Sequence, residues 1–250
     1  MRFFVGVHHP HNAHRVKRAF ISINVIRDRK SRFPVGEWMM DSGAFTTIAK
    51  HGCYPDAPSV YAAQIKRWST NGTLLAAVSQ DYMCEPHMLA KTGLTIADHQ
   101  RLTIERYDAL IACDTGGVYV MPVLQGYAPS DYVTHIRAYG DRLKPGMWVG
   151  VGSICKRNAN PEAIEEIVLA IHAERPDLKL HLFGIKVTAL QSQIVYDSAH
   201  TADSMSWSFA ARREGRDANN IEEAIAFANK IDAIQPRMIP RQLKLFGARA

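Results

Sequence analysis

The sequence predicts a single-domain α/β fold, a TIM-like (β/α)8 barrel, on three observations. Short apolar runs alternate with helical patterns along the chain, as a parallel sheet clothed in helices requires. Several of those runs end abruptly on Asp, Gln or Gly, which is how a barrel arms one mouth from many strand ends. The length of 250 residues suits one closed barrel. The length fits a barrel better, but an open doubly wound sheet shares the same alternation and stays open as the alternative.

Seven strands are expected, over 3–8, 38–41, 74–80, 118–124, 147–152, 178–185 and 201–206; an eighth is not readable. Between them, Tyr61, Ile65 and Trp68 recur at helical spacing, as do Tyr107, Leu110 and Ile111. After an Asn160-Pro161 start, Ile164, Ile167, Val168 and Ile171 mark one helix face. Asn220 with Glu223 resembles a capping arrangement ahead of Ile221, Ile225 and Ala228. No linker, repeat or low-complexity stretch divides the chain, so 1–250 is expected to be one domain. From about Pro236 an irregular basic tail is expected, carrying Arg237, Arg241, Lys244 and Arg249.

A composition of 47% hydrophobic and 22% charged residues fits a globular protein. No apolar run approaches the roughly 20 residues of a membrane span, so no membrane partner is expected. Phe3-Phe4-Val5-Gly6-Val7 is too short for a signal-peptide core, which makes the cytoplasm the expected location. Four scattered cysteines without a CxxC pair argue against a disulfide framework or a structural zinc site. The net charge of +6 favours a polyanion only weakly. Placement says more. Arg15, Lys17, Arg18, Arg27, Arg29, Lys30 and Arg32 follow the first strand, Lys156 and Arg157 the fifth, and Arg212, Arg213 and Arg216 the seventh. Nucleic-acid contact is expected of Lys156, Arg157, Lys186, Arg212 and Arg213, beyond strand ends on the side of the carboxylates.

Asp41 and Asp203 each end an apolar run and precede a serine. Two carboxylates facing one substrate can divide labour as nucleophile and acid/base; each could equally cap the helix that follows it. Asp81, an acceptor when ionised, and Gln125, both donor and acceptor, can together read a guanine-type edge. A buried Gln125 satisfied by backbone is the plainer alternative. Gly150 and Gly152 would let a flat ligand approach the backbone, unless they serve strand–helix packing. Phe45 and Phe183 could sandwich a heterocycle or belong to the core. His8, His9, His11 and His14 cluster after the first strand, where a barrel hydrolase could hold a metal. Later strands offer few further ligands, so no metal is expected.

These pieces, in this order, resemble the tRNA-guanine transglycosylase superfamily from Asp41 to about Arg213. Met40-Asp41-Ser42-Gly43-Ala44-Phe45 resembles its Asp-Ser-Gly-Gly-aromatic segment, whose Asp is the acid/base group and whose aromatic stacks on the base. Ser79-Gln80-Asp81 is similar to its base-reading Phe-Asp-Glu, and Leu124-Gln125-Gly126 to its Val-Gln-Gly. Val149-Gly150-Val151-Gly152 is similar to its Gly-Gly-Leu-Ala turn, and Leu182-Phe183-Gly184 to its Leu-Met-Gly. The resemblance implies that Ser42, Gly126 and Gly184 also touch substrate.

Two departures narrow the likeness. Where the family has Val-Asp-Met-Phe-Asp, this chain has Ala202-Asp203-Ser204-Met205-Ser206. Ungapped alignment puts the family's nucleophile at Ser206, but Asp203 carries the only carboxylate and is assigned the role. The family's Cys-x-Cys-x-x-Cys zinc site is missing, and no C-terminal RNA-binding domain is expected. Such a compact version is most similar to the DpdA branch of phages and bacteria, which places a 7-deazaguanine in DNA. The implied partners are DNA and a free 7-deazaguanine base, with no cofactor. Exchange on tRNA, a metal-dependent hydrolase and an inert nucleic-acid-binding scaffold are the rival readings.

Overall fold

A computed structural model describes residues 1–238 of the protein. Nine parallel strands form a nearly closed barrel: β1 (Arg2–Gly6), β2 (Arg18–Ser22), β3 (Glu37–Asp41), β4 (Thr73–Val78), β5 (Val120–Met121), β6 (Val123–Leu124), β7 (Trp148–Val151), β8 (Lys179–Leu182) and β9 (Ala199–Ser204). Their order is β5-β4-β3-β2-β1-β9-β8-β7-β6. The two ends of that list are neighbours in the chain, parted only by Pro122. Val120 pairs with Ala77 on one side, and Val123 with Gly150 on the other. Proline has no N–H for the ladder, so β5 and β6 are one stave interrupted at Pro122, and the barrel has eight staves.

The stave that sequence reasoning missed is β2. It lies inside the basic segment, is five residues long, and buries only alternate residues. Ala19 and Ile21 face the surrounding helices, whereas Phe20 turns to the barrel interior. The same alternation runs throughout. Phe4, Met39, Ala76, Val78, Met121 and Val123 fill the barrel, and a larger apolar layer joins the outer strand faces to the helices.

Helices start where their first residues allow. Asn160 caps Pro161–Glu174, its side chain accepting from the Ala163 N–H. Asn220 caps Ile221–Asp232, accepting from Glu222. In Ile96–Ile111, Tyr107 and Leu110 face inward as expected, but Ile111 is exposed.

The basic segment after β1 does not gather at the mouth. Arg18 opens β2 and pairs with Glu37 at 2.8 Å, at the strands' N-terminal ends. Arg32 donates to the Thr70 carbonyl at 3.1 Å, ahead of β4, and Arg15 pairs with Glu222. In the expected tail, the Arg237 N–H donates to Gln191 O at 2.9 Å. Arg241, Lys244 and Arg249 lie outside the described residues. No helix among the described residues is long and apolar enough to cross a membrane.

Candidate active site

The C-terminal ends of the strands surround a cavity of about 530 Å³, lined by Asp41, Phe45, Asp81, Gln125, Gly152, Phe183, Gly184 and Asp203 among others. Eight residues scattered from 41 to 203 are thus brought to one slot. Asp41 ends β3. Its Oδ2 accepts the Gly43 N–H at 3.1 Å, in the turn that starts the helix Ala44–His51. Burial pushes the Asp41 carboxyl up to about 6, and the nearby charge of Asp203 adds to the rise. Hydrogen bonds from Gly43, Ser22 and Ser42 oppose it. A carboxyl poised there can both give and take a proton near neutrality.

Asp203 ends β9 and is 6% exposed. Its Oδ1 accepts the Gly184 N–H at 3.1 Å and lies 3.3 Å from His181 Nε2. Gly184 reaches this position with φ +63°, a left-handed turn that suits glycine. Ser206, the alternative nucleophile position, opens the following helix and lines a different cavity. Asp203 thus shares a cavity with Asp41, and Ser206 does not.

Asp81 and Gln125 form the floor. The Gln125 side-chain amide donates to Asp81 Oδ2. The Gln125 carbonyl Oε1 lies 2.6 Å from the Ser153 hydroxyl. Behind the strand, the Gln125 backbone N–H donates to His135 Nδ1 at 2.8 Å, and Gln100 donates to its backbone carbonyl at 2.7 Å. Desolvation drives buried His135 down to about 3, so the ring is neutral and can accept that proton. Asp81 is raised to about 7, chiefly by burial; Gln125 opposes the shift, while Asp41 and Glu85 reinforce it. A floor built on this carboxylate and amide carbonyl is rich in acceptors, which suits a ligand edge that carries N–H groups.

Three predicted substrate residues lie elsewhere. Ser42 points into a neighbouring cavity, and its hydroxyl has no hydrogen-bond partner among the described residues. Gly126 packs on Asp131 and Tyr132. A Cβ on Gly150 would overlap the Phe183 ring. The N–H groups of Gly150 and Gly152 are not free for a ligand: they donate to Pro122 and Leu124, each at 2.9 Å, within the ladder. Gly152 is nevertheless required at the site, because a Cβ there would overlap the Gln125 amide.

Sequence reasoning missed Glu85, Ser153 and His181. Glu85 is 4% exposed, lines the cavity, and lies 3.0 Å from Ser153 Oγ. Its only sequence signal is a place before Pro86. Ser153 is the sole non-glycine with positive φ (57°) among the described residues, strain that clusters at functional sites. His181 is a fully buried imidazole between Leu180 and Leu182 of β8.

Of the predicted nucleic-acid contacts, Lys186 and Arg213 border a second cavity of about 430 Å³ beside the first. Lys156 sits 5.7 Å from the Phe45 ring and Arg157 4.1 Å from that of Tyr127. Arg212 is close enough to His8 to depress its pKa, after burial and His9. His8 Nε2 lies 2.7 Å from Ser208 Oγ, and His14 Nδ1 2.9 Å from the His11 carbonyl. No three His, Cys, Asp or Glu side chains converge as metal ligands among the described residues.

Fold and site together define a TIM-like α/β barrel whose C-terminal cavity gathers paired acids over a polar floor. Residues 1–228 match the family model for DpdA, DeoxyPurine in DNA protein A, and the chain belongs to that family. Membership makes it a DNA-modifying deazapurine transglycosylase. No curated protein matches the chain.

Proposed function

We propose that the protein exchanges guanine in DNA for a 7-deazaguanine base, with 7-cyano-7-deazaguanine as the expected incoming one. One observation carries the reading: two acids from opposite ends of the sequence share a cavity whose floor pairs a carboxylate with a primary amide. A target guanine, flipped from its stack, enters with its N1–H and amino group toward Asp81 and its carbonyl toward Gln125. Reorientation of the Gln125 amide from Asp81 to the base accompanies binding.

Asp203 attacks C1′. Its Oδ1 is engaged by Gly184 and His181, so Oδ2 is the attacking oxygen. The C1′–N9 bond breaks with its electron pair going to guanine, and Asp41 gives its proton to the departing base. The incoming deazaguanine then binds the same floor, Asp41 removes its N9 proton, and N9 displaces Asp203 from C1′. Two inversions retain the sugar's configuration, and Asp41 ends protonated as it began. The proton balance closes without redox chemistry or a nucleotide cofactor.

The test is incorporation of labelled deazaguanine into guanine-containing DNA, with denaturing mass spectrometry for a protein–DNA adduct. Asp203→Asn should lose both incorporation and adduct, a fall of at least about a thousandfold as expected for a nucleophile. Asp41→Asn should lose incorporation to a comparable degree. Wild-type exchange in either variant rules the assignment out.

A further inference from the structure

Among the described residues only three aromatic side chains are exposed: Phe45 (48%), Tyr127 (43%) and Phe209 (54%). All three follow the C-terminal ends of strands. Phe45 comes after β3, Tyr127 after β6 and Phe209 after β9, so they stand beyond the third, fifth and eighth of the eight staves, spread round the rim. The opposite end of the barrel carries none. Each ring also has a cation over it. Lys156 Nζ lies 5.7 Å from Phe45, Arg157 Cζ 4.1 Å from Tyr127, and Lys186 Nζ 5.7 Å from Phe209. Phe45 lines the base cavity; Phe209 lines the adjoining one with Lys186, Arg213 and Lys230.

Large rings left in water at a single end call for a partner. A duplex offers its exterior phosphates to a protein and keeps its base faces stacked inside. Cations alone would satisfy it, and exposed rings would find nothing to cover them. A single strand offers phosphates and π-faces in alternation, and aromatic rings interleaved with cations are the complement to that pattern. Tyr127 and Phe209 lie outside the base cavity, on either side of it round the rim, where nucleotides flanking the target must pass.

We infer that the mouth binds the target in single-stranded or locally opened DNA, with flanking bases stacked on Tyr127 and Phe209. This inference rests on the proposed DNA-exchange reading of the cavity, but its test does not need turnover. Fluorescence anisotropy without incoming base compares a labelled single-stranded oligonucleotide containing one guanine with a hairpin duplex of the same sequence at the same salt. The single strand should bind at least about tenfold more tightly, the equivalent of one stacked base. Tyr127→Ala and Phe209→Ala should each weaken single-strand binding about tenfold, leaving duplex binding and the thermal unfolding midpoint unchanged. Tyr127→Trp and Phe209→Trp should retain it. Duplex binding equal to or tighter than single-strand binding overturns the inference, as does an equal loss on both substrates in the alanine variants. A single-strand preference without guanine exchange would instead sink the proposed reaction and leave the binding surface standing.

Discussion

Oδ1 of Asp203 is held by Gly184 and faces His181, and the histidine is held in turn. Trp148 Nε1 donates to Thr201 Oγ1 at 2.7 Å, and that oxygen lies 2.9 Å from His181 Nδ1. With Nδ1 engaged by Thr201, the ring turns Nε2 toward Asp203, where an Nε2 proton would be donated to the carboxylate. His181 thereby orients the carboxylate without touching the sugar. A hydrogen bond to an ionised group is worth about 1.5–3 kcal/mol, so His181→Phe should lower kcat roughly ten- to a hundredfold. The KM for the incoming base should stay unchanged, and a matching rise in KM would make the residue a packing element only. Asp81 carries a second prediction at this scale. Its carboxyl must be ionised to accept the base's N–H groups, and burial pushes it up to about 7. Affinity for guanine should therefore fall as pH drops below about 7, with proton release on binding, both measurable by calorimetry in two buffers. Asp81→Asn should abolish that dependence.

At the scale of elements, each strand end sets one functional group through its neighbour. The β7 end must carry glycine because β6 delivers Gln125 into the space a side chain would take. Gly152→Ala should displace the Gln125 amide, raise KM for the base at least about tenfold by loss of its paired hydrogen bonds, and leave the barrel folded. Unchanged KM would mean that Gln125 does not read the base. β2 shows why an element can escape a sequence reading. Its inward Phe20 and outward Ala19 and Ile21 follow period two, yet Lys17 and Arg18 before it and a four-residue helix after it submerge the run in a basic stretch. The stave 118–124 was readable, but its break at Pro122 becomes intelligible only from ladders running to β4 and β7 on opposite sides.

For the molecule as a whole, buried like charges tie stability to pH. Burial pushes Asp41 up to about 6 and Asp81 up to about 7, against an ordinary aspartate value of 3.8. Folded-state values above the unfolded value mean that the native protein binds protons the unfolded chain does not. Their contribution is fully present below about pH 4 and is lost as pH rises through 6 and 7. Asp81→Asn should therefore stabilise the protein at pH 8, by about 1–3 kcal/mol on the scale of 1.36 kcal/mol per shifted unit. The advantage should shrink as pH falls below 6. Thermal unfolding of wild type and variant across that range measures it, and a constant difference would show that Asp81 is not driven up in the native state. A variant that gains stability while losing base binding is the usual trade at a strained site.

The alternation of apolar runs and helical faces, with acids and amides at run ends, already specified a barrel with one armed mouth and singled out Asp41, Asp81, Gln125 and Asp203. Those features are local, because strand period and chain direction decide which end a residue occupies. What needed the tertiary structure is whatever depends on residues distant in the chain. Asp203 rather than Ser206 faces Asp41 because the helix after β9 turns position 206 away. Ser42 faces another cavity, since it follows Asp41 immediately and cannot share its direction. Glu85, Ser153 and His181 acquire meaning only beside partners from other staves, and the basic run after β1 is broken by β2, with Arg18 and Arg32 at the N-terminal end of the barrel.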